Sequence, residues 1–270
     1  MYGGFNVSCY LDKRYNTLFN MQMQVTYPSH HQWLKNISAG PEIDFSGSVA
    51  QKIHASLPHL NKHGVTYSIK PLSEDFLKDF MPMYRTEIGT KPNALMQDVP
   101  EKTLYNKEAK YPYFCFSLEE NGTFVGGAIF SVRPDRVAFA YRVFNNSWTT
   151  AKLRASPALI GEYAVAQYAC SLGCIYLSHG KDRNPYGLNA NIGLATFKLS
   201  VGCRPSALGE FEVLTMDTDT LTEDCLILEL PKEGSKIEKA YLVTSHETED
   251  NYLRATKYPN LLQVEVLYRD

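Results

Sequence analysis

Apolar and polar positions alternate in two distinct rhythms along this chain, and the change of rhythm marks its elements. Between Ala155 and Pro205 the rhythm is helical, then strand-like, then helical again. Leu159, Ile160, Tyr163, Ala166 and Cys170 fall on one face at helical spacing. Ser156 precedes them as an N-cap whose hydroxyl can accept from the first turn. Pro157 takes the first helical position, where a missing N–H costs nothing. Gly173 supplies the left-handed residue that stops such a helix. Cys174 to Ser178 is a short apolar run of the kind a central strand needs. The polar loop HGKDRNPYGLN follows, and GLATFKLSV predicts a second helix before a strand begins near Pro205.

Upstream, Phe5–Asp12 and Thr17–Tyr27 read as two strands around the turn DKRYN, the second with period-two alternation. A short helix is expected near Trp33, followed by a loop rich in Gly, Pro and Ser. Val49, Ile53 and Leu57 predict a helix over 49–61 that ends or bends at Pro58. Residues 65–71 alternate as a strand. Ser73, with Glu74 and Asp75 behind it and Gly89 at the far end, delimits a helix expected to kink or split at Pro82. Two turn signals, Glu-Asn-Gly at 120–122 and Arg-Pro-Asp-Arg at 133–136, divide the next stretch into antiparallel strands 113–119, 123–132 and 136–144. Four more strand-like runs, GEFEVLTMDTD, CLILELP, KAYLVTSH and LQVEVLYRD, close the chain, and no repeat or low-complexity segment interrupts it.

Composition narrows the classes. A chain of 270 residues, 44% of them apolar, suits one large domain or two small ones. Six cysteines (9, 115, 170, 174, 203 and 225) without a CxxC pair read as reduced, mostly buried thiols, neither a disulfide framework nor a zinc site. The formal charge of −2 divides as +3 over residues 1–70, 0 over 71–180 and −5 over 181–270, which argues against a broad nucleic-acid surface. No basic-then-apolar leader opens the sequence and no window approaches the ~20 apolar residues of a membrane span, so a cytoplasmic protein without a membrane span is expected. Gly-x-Ser-x-Gly, HExxH and Walker patterns do not occur, leaving hydrolase, zinc-protease and NTPase readings without support.

The order strand, helix, three-stranded meander, helix, strand, loop, helix, strand resembles the GNAT acyltransferase superfamily, and within it the FemAB-like and BioF2-like branch. The residues that carry the resemblance are VGGAIF (125–130), AVAQYACSLGCIYLSHG (164–180), GLATFKLSVGCRP (193–205) and the upstream segment from Leu60 to Asn93. It implies an α/β (α+β) fold: a GNAT-like, central mixed, mostly antiparallel sheet, flanked by helices and splayed between the family's fourth and fifth strands. Residues 1–66 would form a strand hairpin and helix, a partial GNAT half, and residues 67–270 the acyltransferase domain. The implied activity is N-acyl transfer by direct attack, from acyl-CoA (acetyl-CoA among them) or a charged tRNA. The acceptor would be an amine of a small molecule or of a cell-wall or natural-product precursor. One departure stands out. Acyl-CoA-dependent members carry a Gln/Arg-x-x-Gly-x-Gly/Ala segment whose N–H groups hold the pyrophosphate. Here SWTTAKLRASP (147–157) has no glycine, as in the Fem branch.

Acyl transfer to an amine needs both reactants held together, a donor for the developing oxyanion and an acceptor for the amine proton. The resemblance makes Lys198 the oxyanion or phosphate contact, against its ordinary reading as a solvated helix lysine. His179, at the end of the central strand, is the candidate general base, against a hydrogen-bonded strand-end histidine. Asp182 completes the catalytic set. Phe144, Lys152, Arg154 and Ser156 are the candidate donor contacts, and Tyr141, Arg142, Arg183 and Tyr186 the candidate acceptor contacts. Arg142 and Glu162 otherwise read as an ordinary surface pair. No metal is expected. A non-catalytic binding module that has lost the donor site is the alternative, and the open edge of the 1–66 hairpin is compatible with a homodimer.

Overall fold

The computed structural model describes residues 22–90, 96–145, 147–148, 153–180, 189–217, 224–229, 239–245 and 264–268. The chain divides into two compact units, residues 35–180 and residues 1–34 with 181–270. The expected boundary at residue 66 falls inside a strand of the first.

Within the 35–180 unit, β2 (Val65–Pro71), β3 (Tyr113–Glu120), β4 (Thr123–Val132) and β5 (Arg136–Phe144) form an antiparallel meander. The strand β6 (Tyr176–Ser178) adds to β5 in parallel. The tight β3–β4 turn uses Asn121 and Gly122, both at positive φ (49° and 77°). Cys115, Ile129 and Val143 point to one face, where α2 (Glu74–Gly89) lays Phe76, Leu77, Phe80 and Tyr84 over them. Phe114, Phe116 and Phe130 point to the other, where α4 (Pro157–Ser171) covers them through Tyr168 and its apolar face. Burial on both faces explains why β4 is apolar almost throughout.

The adjacent glycines of VGGAIF give each face room for one aromatic ring. A Cβ on Gly127 would sit 2.9 Å from the Phe76 ring, and one on Gly126 would sit 2.6 Å from the Phe144 ring. Gly126 also holds φ at 157°, which a larger residue would resist.

Ser73 and Ser156 cap α2 and α4 as their sequences foretell, accepting from Phe76 N and Leu159 N. Gly173 takes φ 73° behind α4. Pro82 does not split the element. Helix α2 runs as one helix through Pro82, because that residue is on the exposed side, where water can satisfy the carbonyl Pro82 leaves without its usual N–H. Helix α1 (Gly47–Ser56) passes into two 3-10 turns at Leu57–His59 and Asn61–His63, and α3 (Val99–Lys102) is a single turn.

The expected helix near Trp33 is not formed. Gln22–Asn36 is one strand, β1, and the Trp33 side chain is fully buried. β-propensity and a buried aromatic override the weak helical spacing there.

In the other unit β1 pairs antiparallel with β8 (Arg204–Asp217), with an irregularity between Pro28 and His30. A second sheet has the order β11 (Val264–Tyr268), β10 (Lys239–Thr244), β9 (Cys225–Glu229), β7 (Asn189–Asn191). Helix α5 (Ile192–Ser200) follows β7. The first strand of the expected hairpin, Phe5–Asp12, lies outside the described residues, as does the start of the second. The five described cysteines, 115, 170, 174, 203 and 225, are free thiols.

Candidate active site

Strands β5 and β6 pair only over Arg136–Tyr176, Val137–Leu177 and Ala138–Ser178. Strand β5 then continues through Phe144 while β6 stops, so the two part beside Phe139 and His179. At the same point β5 carries a bulge against β4: Ile129 faces Tyr141, but Phe130 faces Phe139. The extra residue re-aims side chains. Phe139 and Arg142, three apart, both turn toward α4, and Arg142 lays its guanidinium 4.7 Å over the Phe139 ring. His179 meets the same ring edge-on at 5.1 Å.

Behind Phe139 sits a buried charge cluster. Glu162 on α4 has a side chain with no solvent exposure. Its Oε1 is 3.0 Å from His179 Nε2, and its Oε2 is 3.5 Å from an Arg142 guanidinium nitrogen. Burial pushes the Glu162 carboxyl up. The adjacent His179, which is also hydrogen-bonded to it, and the Lys35 and Arg142 charges outweigh burial and hold it below the usual glutamate range. Lys35, itself fully buried, donates to the Pro41 carbonyl at 2.5 Å and stands 3.7 Å over the Phe45 ring. An ionised carboxylate in this setting fixes the imidazole and stabilises a second proton on it.

Glu162 is therefore not the surface residue the sequence reading made it. A signal was present: it is the sole charge in PALIGEYAVAQYACS, and a helix apolar all round is a buried one. Lys35 carried no such signal, because its strand was read as helix and loop.

Of the candidate donor contacts, Phe144 and Ser156 have partners within the chain. The Phe144 ring fills the space left by Gly126 and Gly161 and packs near Phe116. Ser156 caps α4, and Arg154 is exposed. The backbone N–H groups of Arg154 and Ala155 both donate to Ser56 Oγ, at 3.0 and 2.9 Å, and Ser56 is fully buried. In the very segment that lacks the glycines, a serine of α1 takes up two backbone donors.

Tyr141 faces α2, edge-on to Tyr84 at 6.0 Å, on the opposite side of the sheet from Arg142. Lys198 lies in the other unit. It is buried on α5, with Nζ 5.0 Å over the Trp33 ring, so it is not a solvated helix lysine. Lys152, Asp182, Arg183 and Tyr186 lie outside the described residues. Among the described residues no group of three or more His, Cys, Asp or Glu is arranged to hold a metal ion.

The strand order, the helix on each face and the parting of β5 from β6 reproduce the architecture that the sequence resemblance implies. The fold is GNAT-like. No family model matches the chain, and no curated protein does. Solved structures do match. One is the C-terminal domain assigned to a lysylphosphatidylglycerol synthetase of Agrobacterium fabrum, at 14% identity and TM-score 0.46, covering 73% of this chain and 66% of that one. Another is FemX, at 12% identity and TM-score 0.46, with coverage of 81% and 66%. A third is a tandem GNAT protein of the clavulanic acid pathway, at 11% identity and TM-score 0.39, covering 70% and 55%. This chain spans about two thirds or less of the length of each. Likeness at this level carries no argument about activity or substrate.

Proposed function

We propose that this GNAT-like protein is an N-acyltransferase whose acyl carbonyl enters the parting between β5 and β6 and is attacked directly by an amine. The observation that carries the reading is the Glu162–His179 pair, buried where the two strands separate. In this reading His179, oriented by Glu162 at Nε2, takes the proton of the attacking amine and passes it to the departing thiolate or tRNA alkoxide, and the carboxylate stabilises the imidazolium formed between the two steps. The last six residues of β5, beyond its pairing with β6, offer backbone groups against which an extended acyl chain can lie. Arg142, held over Phe139 and next to Glu162, is positioned to receive a polar group of the acceptor.

The donor is a thioester of coenzyme A or the ester of a charged tRNA. The Ser56 bonds to Arg154 N and Ala155 N favour a donor whose phosphates are not cradled by those two groups. The same bonds support a second reading, a binding module that kept the fold and lost the donor site. Calorimetric titration separates the two. The transferase reading expects saturable binding of acetyl-CoA, a longer acyl-CoA or a charged tRNA. Absence of binding for all three supports the module.

A further inference from the structure

The end of the 35–180 unit opposite the parting carries a surface that the acyl-transfer reading does not use. Three segments meet there through backbone bonds. Val132 N donates to the Pro112 carbonyl at 3.2 Å, and Ile175 N and Tyr176 N both donate to the Asp135 carbonyl, at 2.9 and 3.1 Å. The Cys174 thiol lies 3.9 Å from the Arg133 carbonyl. On this base Lys110 Nζ stands 5.5 Å and Arg133 Cζ 5.7 Å from the centroid of the Tyr111 ring, and Arg136 Cζ stands 5.9 Å from that of Tyr176. Arg136 is neutralised by a two-point pair with Asp135. Lys110 and Arg133 are exposed and give the face its positive charge. On the segment that carries Cys174, Leu172 is 46% and Ile175 45% exposed, far more than residues of their kind in the core of this unit.

We propose that this face docks on an anionic lipid bilayer. Two exposed aliphatic side chains, two exposed cations and the tyrosines of the same segments match the layers of such a surface. The aliphatics meet the acyl boundary, tyrosine the headgroup level, and lysine and arginine the phosphates. A single-stranded nucleic acid fits less well. Bases would need open aromatic faces, and Tyr111 and Tyr176 already carry this chain's own cations. Nucleic acid would also leave Leu172 and Ile175 without an apolar partner.

The test uses the full chain and co-sedimentation with vesicles of phosphatidylglycerol mixed with phosphatidylcholine, and with phosphatidylcholine alone. Binding is expected to the mixed vesicles only, and to weaken as salt is added. The double change Lys110→Glu with Arg133→Glu should weaken it about tenfold or more. Leu172→Asp with Ile175→Asp should weaken it comparably, and because all four residues are on the surface these variants should melt with the parent protein. Failure to sediment with the mixed vesicles overturns the proposal. So does undiminished sedimentation of either double variant, equal binding to both vesicle types, or capture of a single-stranded oligonucleotide in preference to the vesicles. Acyl transfer is not measured, so the result stands apart from the reading of the cleft.

Discussion

Glu162 concentrates the energetics of the site in one side chain. Its carboxylate is out of water and is held ionised by His179, Arg142 and Lys35. Removing one member of a buried charge group leaves the others uncompensated, so Glu162→Gln should destabilise the fold by about 3 kcal/mol. Urea titration should show this as a lower midpoint at an unchanged slope. The sign of the pH dependence follows from a folded-state pKa depressed below the unfolded one. The stabilisation is present above the ordinary glutamate value of roughly 4.3 and is lost as pH falls through the lower folded value. The gap between the parent and Glu162→Gln should therefore narrow as pH drops below that range. A gap that widened in acid would mean the carboxyl is held neutral. At the same scale Lys198, buried against Trp33, would cost stability if truncated whatever its role in the chemistry, so its variants need a folding control.

Ser56 shows how one element positions another. The last residue of α1 accepts from two backbone N–H groups just ahead of α4 and so ties the start of the helix bearing Glu162. Ser56→Ala leaves both groups buried or half-buried without their acceptor and should cost about 2 kcal/mol. Hydrogen exchange should rise at Arg154 and Ala155 before it rises in the β3–β4–β5 meander. Unchanged exchange at those two positions would remove the tie. Neither this bond nor the β5 bulge could be read from the sequence, since each depends on a partner distant along the chain. What could be read is local. The serine caps and acidic first turn of α2, the Asn-Gly turn after β3, and the Ser-Pro start and Gly stop of α4 all stand where their residues place them. Trp33 failed for the opposite reason: nothing local in HHQWLKN outweighs the pairing of β1 with β8. His179 was legible as a strand-end residue beside the parting. Its partner was misjudged because a lone glutamate in an apolar helix was given a solvated role.

At the scale of the molecule, one unit brings the parting, the bulge and the buried charge cluster together, and the other carries Lys198 and the second sheet. Among the described residues no helix is long and apolar enough to cross a membrane. The lipid contact proposed for the Leu172 face is one of surface docking. The proposed transfer requires that β5 and β6 stay parted beside Phe139 and that His179 remain bonded to Glu162. The measurement that bears most directly on this is acyl transfer followed by mass spectrometry. A panel of primary amines would be offered with acetyl-CoA, longer acyl-CoAs and charged tRNA to the parent protein and to His179→Ala. The account predicts a mass gain on at least one amine with one donor, slowed about 100-fold by His179→Ala while the fold persists. Transfer at the parent rate by folded His179→Ala, or no transfer from any of the three donors, would contradict it.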